Sequence, residues 1–172
     1  SSGASPPTSG PFGTATVTVA SGAVLDVNGQ TVGNAINLSG TGIETNGAII
    51  NSSTTAATLS GNITLAAHSS IGGANNVTIS GVISGDSMNL TKVGSSTYTL
   101  TNTNTYTGDT TISAGSINIS GSGGLASGNY EGSISIANGS TFIYASSVNQ
   151  ILSGVISGGG NIQKTTDVGS IL

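Results

Sequence analysis

Leu100–Ile119 reads LTNTNTYTGDTTISAGSINI and directly follows NLTKVGSSTYT at 89–99. Almost every residue in this stretch is small, polar or β-branched. Such residues fit a pleated, half-buried surface, so the stretch predicts β-strands. Its last part, Ser116–Ser120 (SINIS), alternates polar and apolar residues, which is typical of a strand with one buried face.

An apolar residue followed by Ser-Gly recurs along the chain. The pattern occurs at Leu38-Ser-Gly40, Leu59-Ser-Gly61, Ile79-Ser-Gly81, Ile119-Ser-Gly121 and Leu152-Ser-Gly154, with Leu100-Thr-Asn102 in the same place. From Gly40 to Gly121 the copies follow one another at nearly constant spacing. A repeat every twenty or so positions is typical of a solenoid, in which no coil can bury its apolar face alone. We therefore predict an all-β parallel β-helix of about seven or eight coils.

The alternation also predicts which side chains face the core. We expect Ile79, Leu100, Ile112 and Ile119 to point inward and to stack on their counterparts in neighbouring coils. A second pattern, an apolar residue three positions before a glycine, marks turns with positive φ at Gly22, Gly115 and Gly139. Leu65-Ala-Ala-His68 fits the same pattern, which predicts His68 in a turn at a glycine position.

The period is interrupted once. The distance along the chain from Gly121 to Gly154 is about one and a half times the period. We expect the surplus to form a loop at 121–132 that leaves the solenoid. The proline-bearing segment 1–13 predicts an extended N-terminal arm or linker, so the solenoid is expected to span 14–172.

The stretch from 90 to 115 resembles the passenger-associated repeat of bacterial autotransporters. The matching residues are Leu90, Thr91, Lys92, Gly94, Leu100, Asn104, Thr105, Tyr106, Thr107, Gly108, Thr110, Thr111, Ala114 and Gly115. A second, partial copy begins at Gly154, where GVISGGGNIQK mirrors GVISGDSMNLTK from Gly81. The resemblance implies a secreted surface protein built as a right-handed parallel β-helix, at the bacterial cell surface or outside the cell.

Composition excludes several classes of function. The only basic residues are Lys92 and Lys164, and the net charge is −4. Too few cations are present to neutralise phosphates, so we expect no nucleic-acid binding. Long uninterrupted apolar runs of the kind that span a bilayer are also missing, so we expect no membrane insertion of this segment. The chain has no cysteine and no visible leader segment, and we interpret it as a mature or cropped piece that a longer chain continues.

Groups able to carry chemistry are few and scattered. His68 is the single histidine, and the six carboxylates are spread at roughly one per coil: Asp26, Glu44, Asp86, Asp109, Glu131 and Asp167. Glycoside cleavage needs a pair of carboxylates, and calcium-binding β-rolls need closely spaced Gly-Gly-x-Gly-x-Asp repeats. Neither pattern is present, so we expect no catalytic residues, no metal site and no cofactor.

A surface contact remains as a candidate site. Tyr130 and Glu131 lie side by side in the expected loop, where an aromatic ring and a carboxylate would meet a ligand. A host or surface glycan is the candidate partner for such a contact.

Three functions stay open at this point. The first is a non-catalytic structural or adhesive segment of an autotransporter-like surface protein. The second is a self-assembling subunit of an extracellular filament, sheath or surface layer, joined head to tail or by exchange of the arm. The third, which composition favours least, is a β-helix enzyme that acts on polysaccharides.

Overall fold

The computed structural model describes residues 12–165, and there the chain is a parallel β-solenoid of about seven turns. In chain order the strands are β1 Val17–Val19, β2 Leu25–Asp26, β3 Thr31–Val32, β4 Ile36–Gly40, β5 Ile49–Ile50, β6 Ala57–Leu59, β7 Ile63–Ile71, β8 Val77–Ile79, β9 Ile83–Ser84, β10 Leu90–Lys92, β11 Thr97–Leu100, β12 Thr103–Asn104, β13 Thr110–Ile112, β14 Ser116–Gly121, β15 Gly124–Leu125, β16 Asn129–Tyr130, β17 Ile134–Ile136, β18 Thr141–Ser146, β19 Ile151–Leu152, β20 Ile156–Ser157 and β21 Asn161–Lys164. Within the same part of the chain, single-turn 3-10 helices lie at Ile43–Thr45 and Ala126–Gly128. The predicted all-β parallel fold is confirmed.

The strands of the described chain form two large sheets and two short pairs. Sheet one follows the path β1-β4-β7-β10-β13-β17-β20, with β2, β5 and β9 attached beside it. Sheet two runs β3-β6-β8-β11-β14-β18-β21, and the two short pairs are β12-β15 and β16-β19. Strand β7 carries sheet one around a corner, because its first residues pair with β4 and β9 and its last residues pair with β10.

Inward side chains stack in columns along the axis. In sheet two one column contains Val32, Leu59, Ile79, Leu100, Ile119 and Tyr144. In sheet one the corresponding column contains Ile49, Ile71, Lys92, Ile112 and Ile136. All these side chains are buried. The predicted inward positions of Ile79, Leu100, Ile112 and Ile119 are therefore confirmed.

Residues 121–132 do not leave the solenoid as predicted. Their strands β15 and β16 pair with β12 and β19, and Leu125 and Tyr130 are fully buried. The surplus was misplaced because Gly154 is not the counterpart of Gly121, which pairs with Ser146. The coil between Gly121 and Ser146 is somewhat longer than its neighbours, and its extra residues lie within the solenoid.

The two ends of the described solenoid differ. In the first coil Val19, Leu25, Val27 and Val32 are at most 8% exposed. In the last coil the apolar side chains are far more open: Ile151 is 63% exposed, Val155 69%, Ile156 40% and Ile162 44%. The predicted arm at 1–13 lies almost wholly outside the described residues.

The second partial repeat follows a different path from the first. In the first copy, Lys92 ends a strand of sheet one. In the second copy, Lys164 ends a strand of sheet two, opposite Tyr144. Ile156 of the second copy takes the register position of Leu90 and not that of Ile83, so the chain that follows it turns directly into sheet two.

Candidate functional site

Four polar residues of the repeat lie inside the solenoid. Lys92, Asn104 and Tyr106 are 0% exposed and Thr110 is 1% exposed. A buried polar group is tolerated only when it is hydrogen-bonded, so each of these side chains needs a partner in the core. Those partners are mainly backbone carbonyls at the corners, where the chain turns from one sheet to the next.

Lys92 serves the corner that follows β10. Its Nζ donates to the carbonyl oxygens of Val93 at 2.6 Å, Gly94 at 2.7 Å and Ala114 at 3.3 Å. Gly94 has φ +70, so the backbone turns sharply here. Ala114 belongs to the following coil, and the ammonium group therefore joins two successive corners.

The environment of Lys92 is apolar apart from these carbonyls. Nζ also lies 5.5 Å from the centroid of the Tyr98 ring, within cation–π range. Burial lowers the pKa of Lys92 from 10.5 to about 8. Carbonyl oxygens stabilise an ammonium ion, but less completely than water does, and so the pKa falls.

Tyr98 serves the corners of two earlier coils. Its hydroxyl donates to the carbonyl oxygens of Gly72 at 2.9 Å and Ile49 at 3.1 Å. Burial raises the pKa of Tyr98. Together Lys92 and Tyr98 supply donors to corner carbonyls in four successive coils.

A second cluster joins Tyr106, Thr110 and Tyr130. The Thr110 hydroxyl lies 2.8 Å from the Tyr106 hydroxyl and 2.7 Å from that of Tyr130, which donates to the Gly108 carbonyl. The two rings meet edge to face, with centroids 5.8 Å apart. Burial raises the pKa of Tyr106 well above its usual value and that of Tyr130 to about 12.

This cluster corrects the surface prediction for Tyr130. Its ring is fully buried because the segment around it forms strand β16 and not a loop. Glu131 is exposed, so of the predicted pair only the carboxylate faces solvent.

Buried amides connect coils at other corners. Asn104 accepts the N–H of Ile83 at 2.9 Å and donates to the carbonyl of Gly124 at 3.2 Å. Gln150 accepts the N–H of Leu125 and donates to the carbonyls of Leu125 and Ile151. Each amide thus satisfies backbone groups that the regular ladder leaves unpaired.

A more exposed ladder runs along the corner before β10. His68 Nδ1 accepts the N–H of Asn89 at 3.0 Å, Asn89 Oδ1 accepts that of Asp109 at 2.9 Å, and Asp109 Oδ1 accepts that of Ser133 at 2.8 Å. The four residues occupy equivalent positions in successive coils. The residues that follow them are strand partners in register: Ser69, Leu90, Thr110 and Ile134. We name this series the corner ladder.

The corner ladder shows that the turn prediction for His68 was wrong. His68 lies within strand β7, and it is not among the residues with positive φ. Leu65 is, through Leu38, a counterpart of Val19, which does precede the turn at Gly22. The pattern misled because β7 continues as a strand beyond Leu65 as far as Ile71. His68 is an acceptor for the next coil.

Three carboxylates also bond to the coil that follows. Asp109 belongs to the corner ladder, and Asp86 accepts the Thr107 hydroxyl at 3.0 Å. Asp26 accepts the hydroxyl of Ser52 at 2.5 Å and its N–H at 3.1 Å. Burial acts to raise the pKa of Asp26, but the bonds from Ser52 and Asn28 outweigh it, and the pKa is lowered.

Shallow depressions mark the outer surface of the described coils. One, of about 280 Å³, crosses three coils and is lined by Asn46, Ile50, Gly73, Ala74, Gly94 and Ser95. Another, of about 120 Å³, is lined by Thr107, Ala126, Asn129 and Glu131. Among residues 12–165 no three His, Cys, Asp or Glu side chains group together as metal ligands, and none of the helices there is long and apolar enough to cross a membrane.

The central part of the chain matches one known family. The passenger-associated-transport-repeat family matches residues 90–119. No curated protein and no solved structure gives a significant match. The repeat family points to a surface or secreted location. The repeat and the parallel solenoid that continues on both sides of it fit the passenger of an autotransporter.

Proposed function

We propose that this chain is a non-catalytic spacer within an extracellular autotransporter passenger, displayed at the bacterial cell surface. One observation carries the proposal: the distinctive polar residues of the repeat, Lys92, Asn104, Tyr106 and Thr110, are buried and bond to the walls of the solenoid. A polar side chain that points inward helps to specify the coil and is not available to a substrate.

The charged groups support the same proposal over an enzymatic one. Asp26, Asp86 and Asp109 are engaged with the next coil, and Lys92 is enclosed. Hydrolysis of a glycosidic bond needs two carboxylates that face the same cleft. The depression beside Glu131, at about 120 Å³, is also below the roughly 300 Å³ at which small-molecule pockets begin.

A spacer should tolerate a change of length that preserves register. Strand partners lie about 4.8 Å apart, so one added coil should lengthen the rod by about 5 Å. Tyr98 is the partner of Ile117. A second copy of 98–116 inserted after Ser116 therefore adds one coil without shifting a side chain to the wrong face.

The test displays the chain on bacteria through an autotransporter translocator. We expect the one-coil insertion to match the parent in surface level and protease resistance. The matched control inserts 98–106 at the same point, which breaks the register and should lose both. Equal loss in the two insertions would overturn the spacer proposal.

The adhesive form of this proposal adds a glycan partner. Its candidate contact is the exposed carboxylate of Glu131. A glycan array probed with the parent and with Glu131→Gln tests it, and binding that both proteins share equally would remove Glu131 from the contact.

Self-association is the second candidate function, favoured by the exposed apolar side chains Ile156 and Ile162 on the last coil. Sedimentation of the parent, of Ile162→Asp and of a chain lacking 1–13 tests it. Assembly that disappears in Ile162→Asp would support an end-on contact, and loss on removing 1–13 would support arm exchange. A parent that stays monomeric at high concentration would overturn this candidate.

A further inference from the structure

Three asparagines of the described chain precede a glycine, and the structure places them in different settings. The pairs are Asn28-Gly29, Asn46-Gly47 and Asn138-Gly139. Each glycine has a positive φ, so all three pairs lie in turns.

An Asn-Gly pair can react with itself. The glycine backbone nitrogen attacks Cγ of the asparagine, the new N–Cγ bond closes a succinimide ring, and the side-chain nitrogen leaves as ammonia. Water then opens the ring to aspartate or to isoaspartate, in which the main chain runs through Cβ. Glycine permits the attack because it has no side chain to hinder the ring-forming conformation.

In two of the three pairs the glycine N–H, whose nitrogen would attack, donates a hydrogen bond. The Gly29 N–H donates to Oδ1 of the buried Asn51 at 2.9 Å, and the Gly47 N–H donates to the Thr41 carbonyl at 3.0 Å. Gly47 is also packed against Gly72, where a Cβ would lie only 2.6 Å from the Gly72 nitrogen. Attack at either site requires a hydrogen bond to break first.

The third pair carries no such restraint. Asn138 and Gly139 are both exposed in the turn between β17 and β18. Within residues 12–165 neither the Asn138 side-chain amide nor the Gly139 N–H makes a hydrogen bond. The turn is closed instead by the N–H of Ser140, which donates to the Ala137 carbonyl at 3.0 Å.

We propose that Asn138 is a site of spontaneous deamidation in the folded protein, while Asn28 and Asn46 are protected by the hydrogen bonds of their glycines. The reaction needs only water and adds one negative charge to a chain whose net charge is −4. It also alters a turn that supports the last described coil.

That support comes from close packing between two turns. The Asn138 amide covers Gly159, where an added Cβ would collide with its Oδ1. Beside it the Gly160 N–H donates to the Ile136 carbonyl at 3.0 Å, and the Asn161 N–H donates to that of Ser140 at 2.9 Å. The extra main-chain atom of isoaspartate at 138 would shift these contacts and loosen β21.

The test follows the three sites by peptide mapping and mass spectrometry. Native chain is incubated in warm, mildly alkaline buffer, and an isoaspartate methyltransferase detects the rearranged product. We expect Asn138 to react at least about tenfold faster than Asn28 and Asn46, the factor that corresponds to one hydrogen bond. In the denatured chain the three sites should react at similar rates.

A variant at the fast site separates the reaction from its consequence. Asn138→Gln should remove the fast site, because the larger ring forms slowly. Hydrogen exchange at Gly160 and Asn161 should accelerate in aged parent protein and stay unchanged in Asn138→Gln. An intact Asn138 in native protein, or native Asn28 or Asn46 reacting as fast as Asn138, would overturn the proposal.

Discussion

Two columns of stacked side chains run along the interior of the described coils, and they differ in charge. The sheet-two column is apolar from Val32 through Ile119, whereas the sheet-one column places Lys92 between Ile71 and Ile112. Lys92 is just as buried as its apolar neighbours in the column. Side chains that are equally buried can therefore be apolar in one column and charged in the other.

The difference lies in what each column faces. Lys92 is the last residue of β10, next to a corner where the carbonyls of Val93, Gly94 and Ala114 point at its Nζ. A corner whose carbonyl groups point inward needs a hydrogen-bond donor, and the side chain of a residue at the end of a strand can provide it. A position at a strand end does not by itself create this requirement, because Leu59, Ile79 and Leu100 also end their strands and are apolar.

The largest effect is expected where a charge enters the apolar column. Ile119→Asp buries a carboxylate without a partner and should cost about 4–5 kcal/mol or prevent folding. The thermal midpoint measured by circular dichroism checks this. Ser120→Asp is the matched control on the outward face and should change stability by only about 0.5 kcal/mol. Similar midpoints for the two variants would show that the register is wrong.

Truncation in the lysine column should be nearly as harmful. Lys92→Ala leaves a cavity and three carbonyls without their donor, so we expect a loss of about 3–5 kcal/mol. Lys92→Met fills the space and removes a desolvated charge, and it should cost only about 1–3 kcal/mol. Chemical denaturation measures both. A methionine variant more stable than the parent would show that the carbonyls do not need the ammonium group.

The same lysine predicts a dependence of stability on pH. Folding lowers its pKa from 10.5 to about 8, so between these values the unfolded chain binds more protons and the free energy of unfolding rises with pH. Folding raises the pKa of Tyr130 from 10.0 to about 12, and it raises those of Tyr98 and Tyr106, so stability falls again above pH 10.

We therefore expect the thermal midpoint to be highest at about pH 9–10. In Lys92→Met the rise above pH 8 should vanish while the fall above pH 10 remains. A parent whose midpoint declines steadily from pH 8 would contradict the buried position of the lysine.

The smallest effect belongs to the corner ladder. His68→Asn keeps an acceptor of the kind that Asn89 provides one coil later, and should stay within about 0.5 kcal/mol of the parent. His68→Gly loses the bond and weakens strand β7, at a cost of about 1–2 kcal/mol. Thermal unfolding compares the two, and equal midpoints would mean that the bond contributes nothing.

The period and the in–out alternation were predictable because they are local patterns. Ile79, Leu100 and Ile119 lie on one column, as their spacing indicated. The Ser-Gly pattern alone did not reveal that Leu38 and Leu152 lie outside sheet two, because the same residues occur near the end of a strand in any sheet.

The interior polar residues were harder to recognise. Lysine is mostly exposed in proteins, so composition gave no reason to place Lys92 in the core. Its partners are backbone carbonyls, which have no signature in the sequence. Tyr130 was misplaced for a related reason: its burial depends on Thr110 and Gly108, which lie a coil away.

The corner ladder has a direction of its own. In each of its bonds the acceptor side chain belongs to the earlier coil and the N–H to the later one: His68 to Asn89, Asn89 to Asp109, and Asp109 to Ser133. A completed coil therefore presents a template, with its acceptor in place, to the coil that comes after it in the chain. The corners served by Asn104 and Gln150 have the opposite order, because there the N–H of the earlier coil meets an acceptor that the later coil supplies.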